Sequence, residues 1–587
     1  MKKPPLRARH LMLLATLVGV ISGLGAIALY VLIDLSSQFF LEGLDTFTPP
    51  KPGGELPLFE IQFKYGAIPL YLLPAIGGLL SGLLVYSLAP EAEGHGTDAV
   101  IRAFHRMRGD IRGRVPIVKA LATAVTIGSG GSAGREGPIA QIGAGFGSFL
   151  ASLFDLSDRD KRVLVVCGMA GGIGSIFRSP FGGAIFAIEV LYRRDYEVEA
   201  MIPAFTSSIV AYTVFEVIFG KLTGTPFGTH TIFSTPPMSI SSAWEMFVYL
   251  LLGLVAAGIA IGYVKVFYFI HDSFKKLRIS PYVKPVIGGV LTGVIALFAP
   301  QALGMSYGYV QMAIDGNIAL QTILIILVAK ILATSFTIGS GGSGGVFAPS
   351  VVIGSMVGAT IGYLFADLMP FLVTQPESYV LVGMAAFVAA VAKTPIAAIM
   401  MVLEMTGGYS LLPALMLAAI VAYKASGDIS IYSEQVESRI SSPAHRMEMT
   451  VDVLENIHVN EAMTPAEKVF TVSPHSTVAE VLQAIYKTGH LGFPVVQDGR
   501  LVGIITLNDV MMVPVDKRDE TTVEEAMTRD VIVAHPDETL EEVLGRLAKH
   551  NIGRLPVVAR EDGKLIGIIT RSDIVRAHAA EIATRAR

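Results

Sequence analysis

Cysteine is almost absent from this chain of 587 residues: there is one, Cys167, inside the apolar run Val163 to Met169. A single thiol excludes an intrachain disulfide framework, and its surroundings predict a packed core side chain. Charge is scarce too. Asp, Glu, Lys and Arg make up 16% of the residues against 52% hydrophobic ones, which is too apolar for a soluble protein and places most of the chain in a lipid bilayer. The net charge of −4 decides little, and no nucleic-acid partner is expected. No Gly-x-x-x-x-Gly-Lys-Ser/Thr is present for a P-loop, so a hydrolytic ATPase is not expected. The apolar part shows no constellation of nucleophile, base and metal ligands, so neither a catalytic residue nor a metal site is expected, and the chain reads as something other than an enzyme.

What is present is one sequence written twice. Lys119-x-Leu121-Ala122-Thr123-x-x-Thr126-Ile127-Gly128-Ser129-Gly130-Gly131-Ser132-x-Gly134-x-x-x-Pro138 returns 211 residues later as Lys330-x-Leu332-Ala333-Thr334-x-x-Thr337-Ile338-Gly339-Ser340-Gly341-Gly342-Ser343-x-Gly345-x-x-x-Pro349. Farther along, Gly168-Met169-Ala170 with Pro180 and Glu189 matches Gly383-Met384-Ala385 with Pro395 and Glu404. Two homologous halves follow, whose relative orientation the sequence leaves open. In both, a glycine- and serine-rich loop separates two apolar stretches, the mark of helices broken inside a membrane. The N-termini of such helices, with unpaired N–H groups and positive dipole ends, can share a site for an anion.

The first span, Leu11 to Ile33, follows Lys2, Lys3, Arg7, Arg9 and His10, so the N-terminus is expected in the cytoplasm. A cleaved signal peptide is the competing reading, but the apolar region is longer than a signal core and no clear small-x-small site follows it. Ile139 to Phe154 and Pro395 to Met405 are shorter than the roughly 20 residues of a straight span. They predict tilted or re-entrant helices around a polar pathway, because free backbone ends at membrane depth must be buried or line a cavity.

After about Asp428 the composition turns charged and amphipathic, as in a soluble domain that is again duplicated. Met463-Thr464, Phe493-Pro494-Val495-Val496, Asp498-Gly499 and Gly503-Ile504-Ile505-Thr506-x-x-Asp509 recur as Met527-Thr528, Leu555-Pro556-Val557-Val558, Asp562-Gly563 and Gly567-Ile568-Ile569-Thr570-x-x-Asp573. Each copy reads as strand, helix, hairpin with an Asp-Gly turn, and helix.

Gly134-Arg135-Glu136-Gly137-Pro138 and Gly345-Val346-Phe347-Ala348-Pro349 resemble two of the three signature loops of the CLC family of chloride channels and proton-coupled exchangers. The third aligns with Gly94-His95-Gly96-Thr97-Asp98, and the tail resembles a tandem CBS domain pair. The resemblance implies an all-α polytopic membrane domain over residues 1–450 and an α/β CBS pair over 451–587, with copies at about 460–515 and 524–580. It implies a homodimer in the plasma (inner) membrane with both termini cytoplasmic. Gly94, His95, Gly96, Gly345, Val346, Phe347, Ala348 and Tyr432 would hold chloride or a related small anion, and Glu136 would be the gate. Gly134, Arg135, Gly137 and Pro138 would shape its loop. Backbone amides and hydroxyls suit this task, because a bare cation in low dielectric would bind too tightly for release. Two blander readings stand beside these: Glu136 and Arg135 as a structural ion pair, and Tyr432 as a buried aromatic with a satisfied hydroxyl.

Two departures from the family pattern bear on function. His95 stands where many members have a serine; its ring either faces the anion or points away and leaves the backbone N–H groups to do so. Val190 stands where many exchangers carry a proton-relaying glutamate, and an apolar side chain cannot pass a proton. The expectation is therefore a passive chloride channel. The alternative is a chloride/proton antiporter on the same scaffold, and a CBS-regulated magnesium transporter is disfavoured because the apolar half offers few acids for a divalent cation. No cofactor is expected in the membrane domain. In the tail, Thr506, Asp509, Thr570 and Asp573 match the CBS pattern that binds an adenosine nucleotide such as ATP or AMP, unless the pair serves only as a dimer clamp.

Overall fold

The computed structural model describes residues 8–59, 65–228, 231–445 and 453–585. Lys2, Lys3 and Arg7, and the expected domain boundary after residue 450, lie outside them. The chain divides into two compact units, Met1–Ala444 and His445–Arg587.

The first unit is helical. Six of its described helices are long and apolar enough to cross a membrane, beginning with Ala8–Ser37, which runs on into a π-helical turn Gln38–Asp45. Shorter helices alternate with them: Val115–Gly128, Pro180–Glu189, Lys284–Ala296 and Pro395–Thr406 each carry proline in the first turn. Proline there loses no hydrogen bond and fixes where a helix begins, so it cuts apolar sequence into half-spans.

Small residues bring these pieces into close contact. Helix Glu136–Leu153 lies so near Asp158–Ile176 that a Cβ on Gly143 would sit 2.0 Å from the Gly168 carbonyl oxygen. The second half repeats this: Phe347–Leu368 meets Ser378–Ala392 where a Cβ on Gly354 would fall 2.6 Å from the Gly383 carbonyl oxygen. The thiol of Cys167 is buried in this core.

The second unit interlocks its two copies. The hairpin of Gly492–Gln497 and Arg500–Thr506 belongs to the first copy and that of Arg554–Val558 and Leu565–Thr570 to the second. Thr464 of the first copy pairs with Ile568 of the second, and Thr528 of the second with Ile504 of the first. The Asp-Gly turns differ. Asp498 and Gly499 both have positive φ (52° and 79°), as a two-residue hairpin loop of this type requires, whereas the second connection runs from Ala559 to Lys564 with positive φ only at Gly563.

Candidate functional site

The duplicated loops meet in the middle of the helical unit. Gly134 N–H donates to the Gly345 carbonyl at 2.7 Å and Gly345 N–H returns the bond to Gly134 at 2.5 Å. Around this bridge the hydroxyls of Ser132 and Thr334 lie 3.0 Å apart and those of Thr123 and Ser343 3.2 Å apart. The third loop joins through Gly94, whose carbonyl accepts from Gly344 N–H at 3.2 Å. Gly137 has to be glycine: a Cβ there would stand 1.8 Å from the His95 carbonyl oxygen. Gly96, at φ +84°, packs on Gly137 from the other side. Pro138 occupies the first turn of helix Glu136–Leu153.

Glu136 opens that helix and is 2% exposed. Its Oε2 accepts from Ala348 N–H at 3.2 Å, at the N-terminus of helix Phe347–Leu368, and its Oε1 accepts from the Tyr307 hydroxyl at 2.9 Å. A carboxylate thus occupies the positive end of another helix, a place built for an anion. Arg135 pairs elsewhere: its guanidinium reaches Glu55 at 2.5 Å and lies 5.4 Å from the centroid of the Tyr30 ring. The ion pair of this loop is therefore Arg135 with Glu55, and Glu136 rests on neutral donors.

Tyr432 is 1% exposed and lines a constriction together with Glu136, Gly137, Thr97, Phe177, Phe186 and Phe347. The Phe347 ring sits 5.2 Å from Phe177 and 5.5 Å from Phe186, centroid to centroid. Val346 caps this helix end and Gly345 N–H is already committed to Gly134. Asp98 positions Tyr432: its carboxylate accepts from Ser433 N–H (3.1 Å), Ser433 Oγ (2.8 Å) and Glu434 N–H (3.2 Å). The His95 ring lies 5.4 Å from the Tyr432 ring with Nε2 3.4 Å from Asp98 Oδ2, while Nδ1 is buried and has no hydrogen-bond partner among the described residues.

Two cavities flank the constriction. The wide one, about 560 Å³, is lined by Gly94, His95, Gly96 and Asp98 and by Ile338, Gly339 and Ser340 at the end of helix Leu320–Gly339. The narrow one, about 80 Å³, is lined by Leu303 to Tyr307, Arg135, Glu55 and Ile127 at the end of helix Val115–Gly128. Ile127 and Ile338 are equivalent in the duplication. Equivalent parts of the two halves therefore stand at opposite ends of one pathway, an inverted repeat, which answers the question of orientation that the sequence left open. Sequence reasoning passed over Glu55 and Tyr307, which carry no motif, and gave no role to Thr97 and Asp98, which sit inside one.

The family model for voltage gated chloride channels matches residues 77–427, more than half of the chain, and that for the CBS domain matches residues 459–516 and 523–580. The chain belongs to the CLC family. It is an integral membrane protein with a CLC-type helical domain and a tandem CBS pair. Over 373 residues it is 31% identical to a ClcB-like chloride channel protein of Ralstonia nicotianae, covering 62% of this chain and 84% of that one. Over 408 residues it is 28% identical to the H(+)/Cl(-) exchange transporter ClcA of Cronobacter sakazakii, covering 68% and 83%. A slow cyanobacterial Cl−/H+ antiporter of known structure shares the fold, with a TM-score of 0.61 at 22% identity over 73% of this chain and 97% of the other.

These findings overturn the expectation of a passive channel. It rested on Val190, whereas the Cronobacter relative that shares most of the membrane domain is named an exchange transporter. The physical reason is that one apolar side chain closes one route for a proton and leaves routes through water or other groups open. In this CLC domain Val190 is fully buried at the end of helix Pro180–Glu189, its carbonyl accepting from Gln435 Nε2 at 2.9 Å. Its neighbour Glu189 is spoken for: it accepts from the N–H groups of Ile396 (3.3 Å) and Ala397 (2.8 Å), at the start of helix Pro395–Thr406. Glu404 does the same for Pro180–Glu189, accepting from Phe181 N–H (3.2 Å), Gly182 N–H (2.7 Å) and Ser179 Oγ (2.5 Å).

In the CBS pair, the Thr506 hydroxyl donates to Asp509 at 2.7 Å and the Thr570 hydroxyl to Asp573 at 2.6 Å. The copies differ in that Arg576 pairs with the other oxygen of Asp573, and the equivalent position of the first copy is Met512. Among the described residues no group of three or more His, Cys, Asp or Glu side chains is placed to hold a metal ion.

Proposed function

We propose that this protein exchanges chloride for protons across a membrane. The observation that carries this reading is the placement of Glu136, a titratable group in the constriction whose carboxylate sits on a helix N-terminus, a position suited to an anion. Ionised, it closes the pathway; protonated, it leaves the helix end to the anion, and one proton is carried for its return. The name of the Cronobacter relative supports coupling over free conduction. Chloride then passes the N–H groups of Gly94, His95, Gly96, Val346 and Phe347 and the hydroxyls of Tyr432 and Thr97. The wide cavity is assigned to the cytoplasmic side, with both termini there and two subunits each holding one pathway.

The test is simultaneous recording of chloride and protons with the purified protein in liposomes. An imposed chloride gradient should drive protons uphill, and Glu136→Gln should still pass chloride, with its rate and pH profile changed, while abolishing proton movement. Downhill chloride flux with no uphill proton movement in the parent protein defeats the proposal.

A further inference from the structure

The duplication reaches beyond the glycine loops. Lys119 and Lys330, both fully buried, hold equivalent loops: Lys119 Nζ donates to the carbonyls of Ala92 (2.9 Å) and Gly94 (2.6 Å), and Lys330 Nζ to those of Ala302 (3.1 Å) and Gly304 (2.7 Å) and to Ser306 Oγ (2.9 Å). Each loop starts with a single 3₁₀ turn, Pro90–Ala92 or Pro300–Ala302, and ends by opening a short helix, Thr97–Arg106 or Tyr307–Ile314. Tyr307 is thus the counterpart of Thr97 at the other end of the pathway. Where the first copy places a small hydroxyl in the constriction, the second places a phenol in the narrow cavity, and that phenol reaches Glu136.

From this we infer that Tyr307 is the latch of the gate, a positioning residue that holds the Glu136 carboxylate on the helix end and sets the pH at which it lets go. The ring has little freedom: it is 2% exposed, packs edge-on against Phe233 at 5.4 Å and has the Arg135 guanidinium 6.0 Å from its centroid. A hydrogen bond donated to a carboxylate favours its charged form. The other ionisable groups around Glu136 are Arg135, Lys330 and Tyr432, with Glu55 paired to Arg135 behind it. Only the bond from Tyr307 joins Glu136 to the narrow cavity through a group that a single-atom change removes.

The inference rests on Glu136 being the gate, and the experiment separates the two. Chloride flux of the full-length protein in liposomes is measured against pH for the parent, Tyr307→Phe, Glu136→Gln and the double variant. Losing the phenol should move the half-maximal pH of flux upward by about one unit, a tenfold change in the proton concentration that opens the gate. It should change nothing further once residue 136 is glutamine, an outcome that mere loosening of the fold does not give. Replacing Tyr307 by 3-fluorotyrosine keeps the ring's packing and makes the phenol a stronger donor, so the profile should move to lower pH. Unmoved profiles in both Tyr307 variants, with Glu136→Gln still altering flux, dismiss the latch and leave the gate. A Glu136→Gln protein with the flux and pH profile of the parent removes both.

Discussion

Arg135 and Glu136 are adjacent in sequence yet serve different partners, and the difference matters for transport. Because Glu55 takes the Arg135 guanidinium at 2.5 Å, the hydrogen bonds that other described residues give the Glu136 carboxylate come from one hydroxyl and one backbone N–H. Glu55→Gln should release the guanidinium to pair with Glu136, lowering chloride turnover at neutral pH severalfold as the gate stays shut. It should also destabilise the protein by up to about 3 kcal/mol, since a new pair with Glu136 only partly replaces the buried ion pair. Flux assays and thermal unfolding in detergent test both; a variant with parental turnover would show that Arg135 has no reach to the gate. The glycine loops are legible in the sequence because they occur twice, and Glu136 and Tyr432 because they match the family pattern. Glu55 and Tyr307 are not, because they lie 80 and 171 positions along the chain from the residues they bond, Glu55 in an irregular segment and Tyr307 at the start of helix Tyr307–Ile314.

At the scale of elements, the same sequence pattern has been put to unequal use in the two CBS copies. Thr506 with Asp509 and Thr570 with Asp573 each cap the helix that follows, so their chemistry is partly structural. Arg576 further ties down Asp573, and Met512 leaves Asp509 without that rival. If the pair takes up an adenosine nucleotide, its ribose should choose the first copy. Asp509→Ala should weaken ATP or AMP binding to the full-length protein at least tenfold, Asp573→Ala much less, and Arg576→Ala should strengthen it. Calorimetry decides, with thermal unfolding to account for the roughly 1 kcal/mol that either lost cap costs; equal losses at the two aspartates would contradict the assignment. The hairpins are legible from short β-branched runs on either side of an Asp-Gly pair. The longer second loop is not, since the Asp-Gly pair is the same in both and only the residues before it extend the connection.

Over the whole molecule, the exchange of carboxylates between halves has a meaning for how such a protein is made and how it arose. Glu189 of the first half closes a helix of the second, and Glu404 of the second closes a helix of the first. A half produced alone would carry an acid with no helix end to satisfy and a helix end with no acid, both at a depth where water is scarce. If the ancestor was a single copy, two identical chains had to complete each other in this way before fusion. The present chain should retain that dependence of one half on the other. Cut in the connection between helices Met201–Thr223 and Glu245–Lys276 and expressed as two polypeptides, it should regain chloride transport in liposomes when both are synthesised together, whereas either alone should be degraded by membrane proteases. A half that accumulates and resists digestion on its own would mean that each copy became self-sufficient.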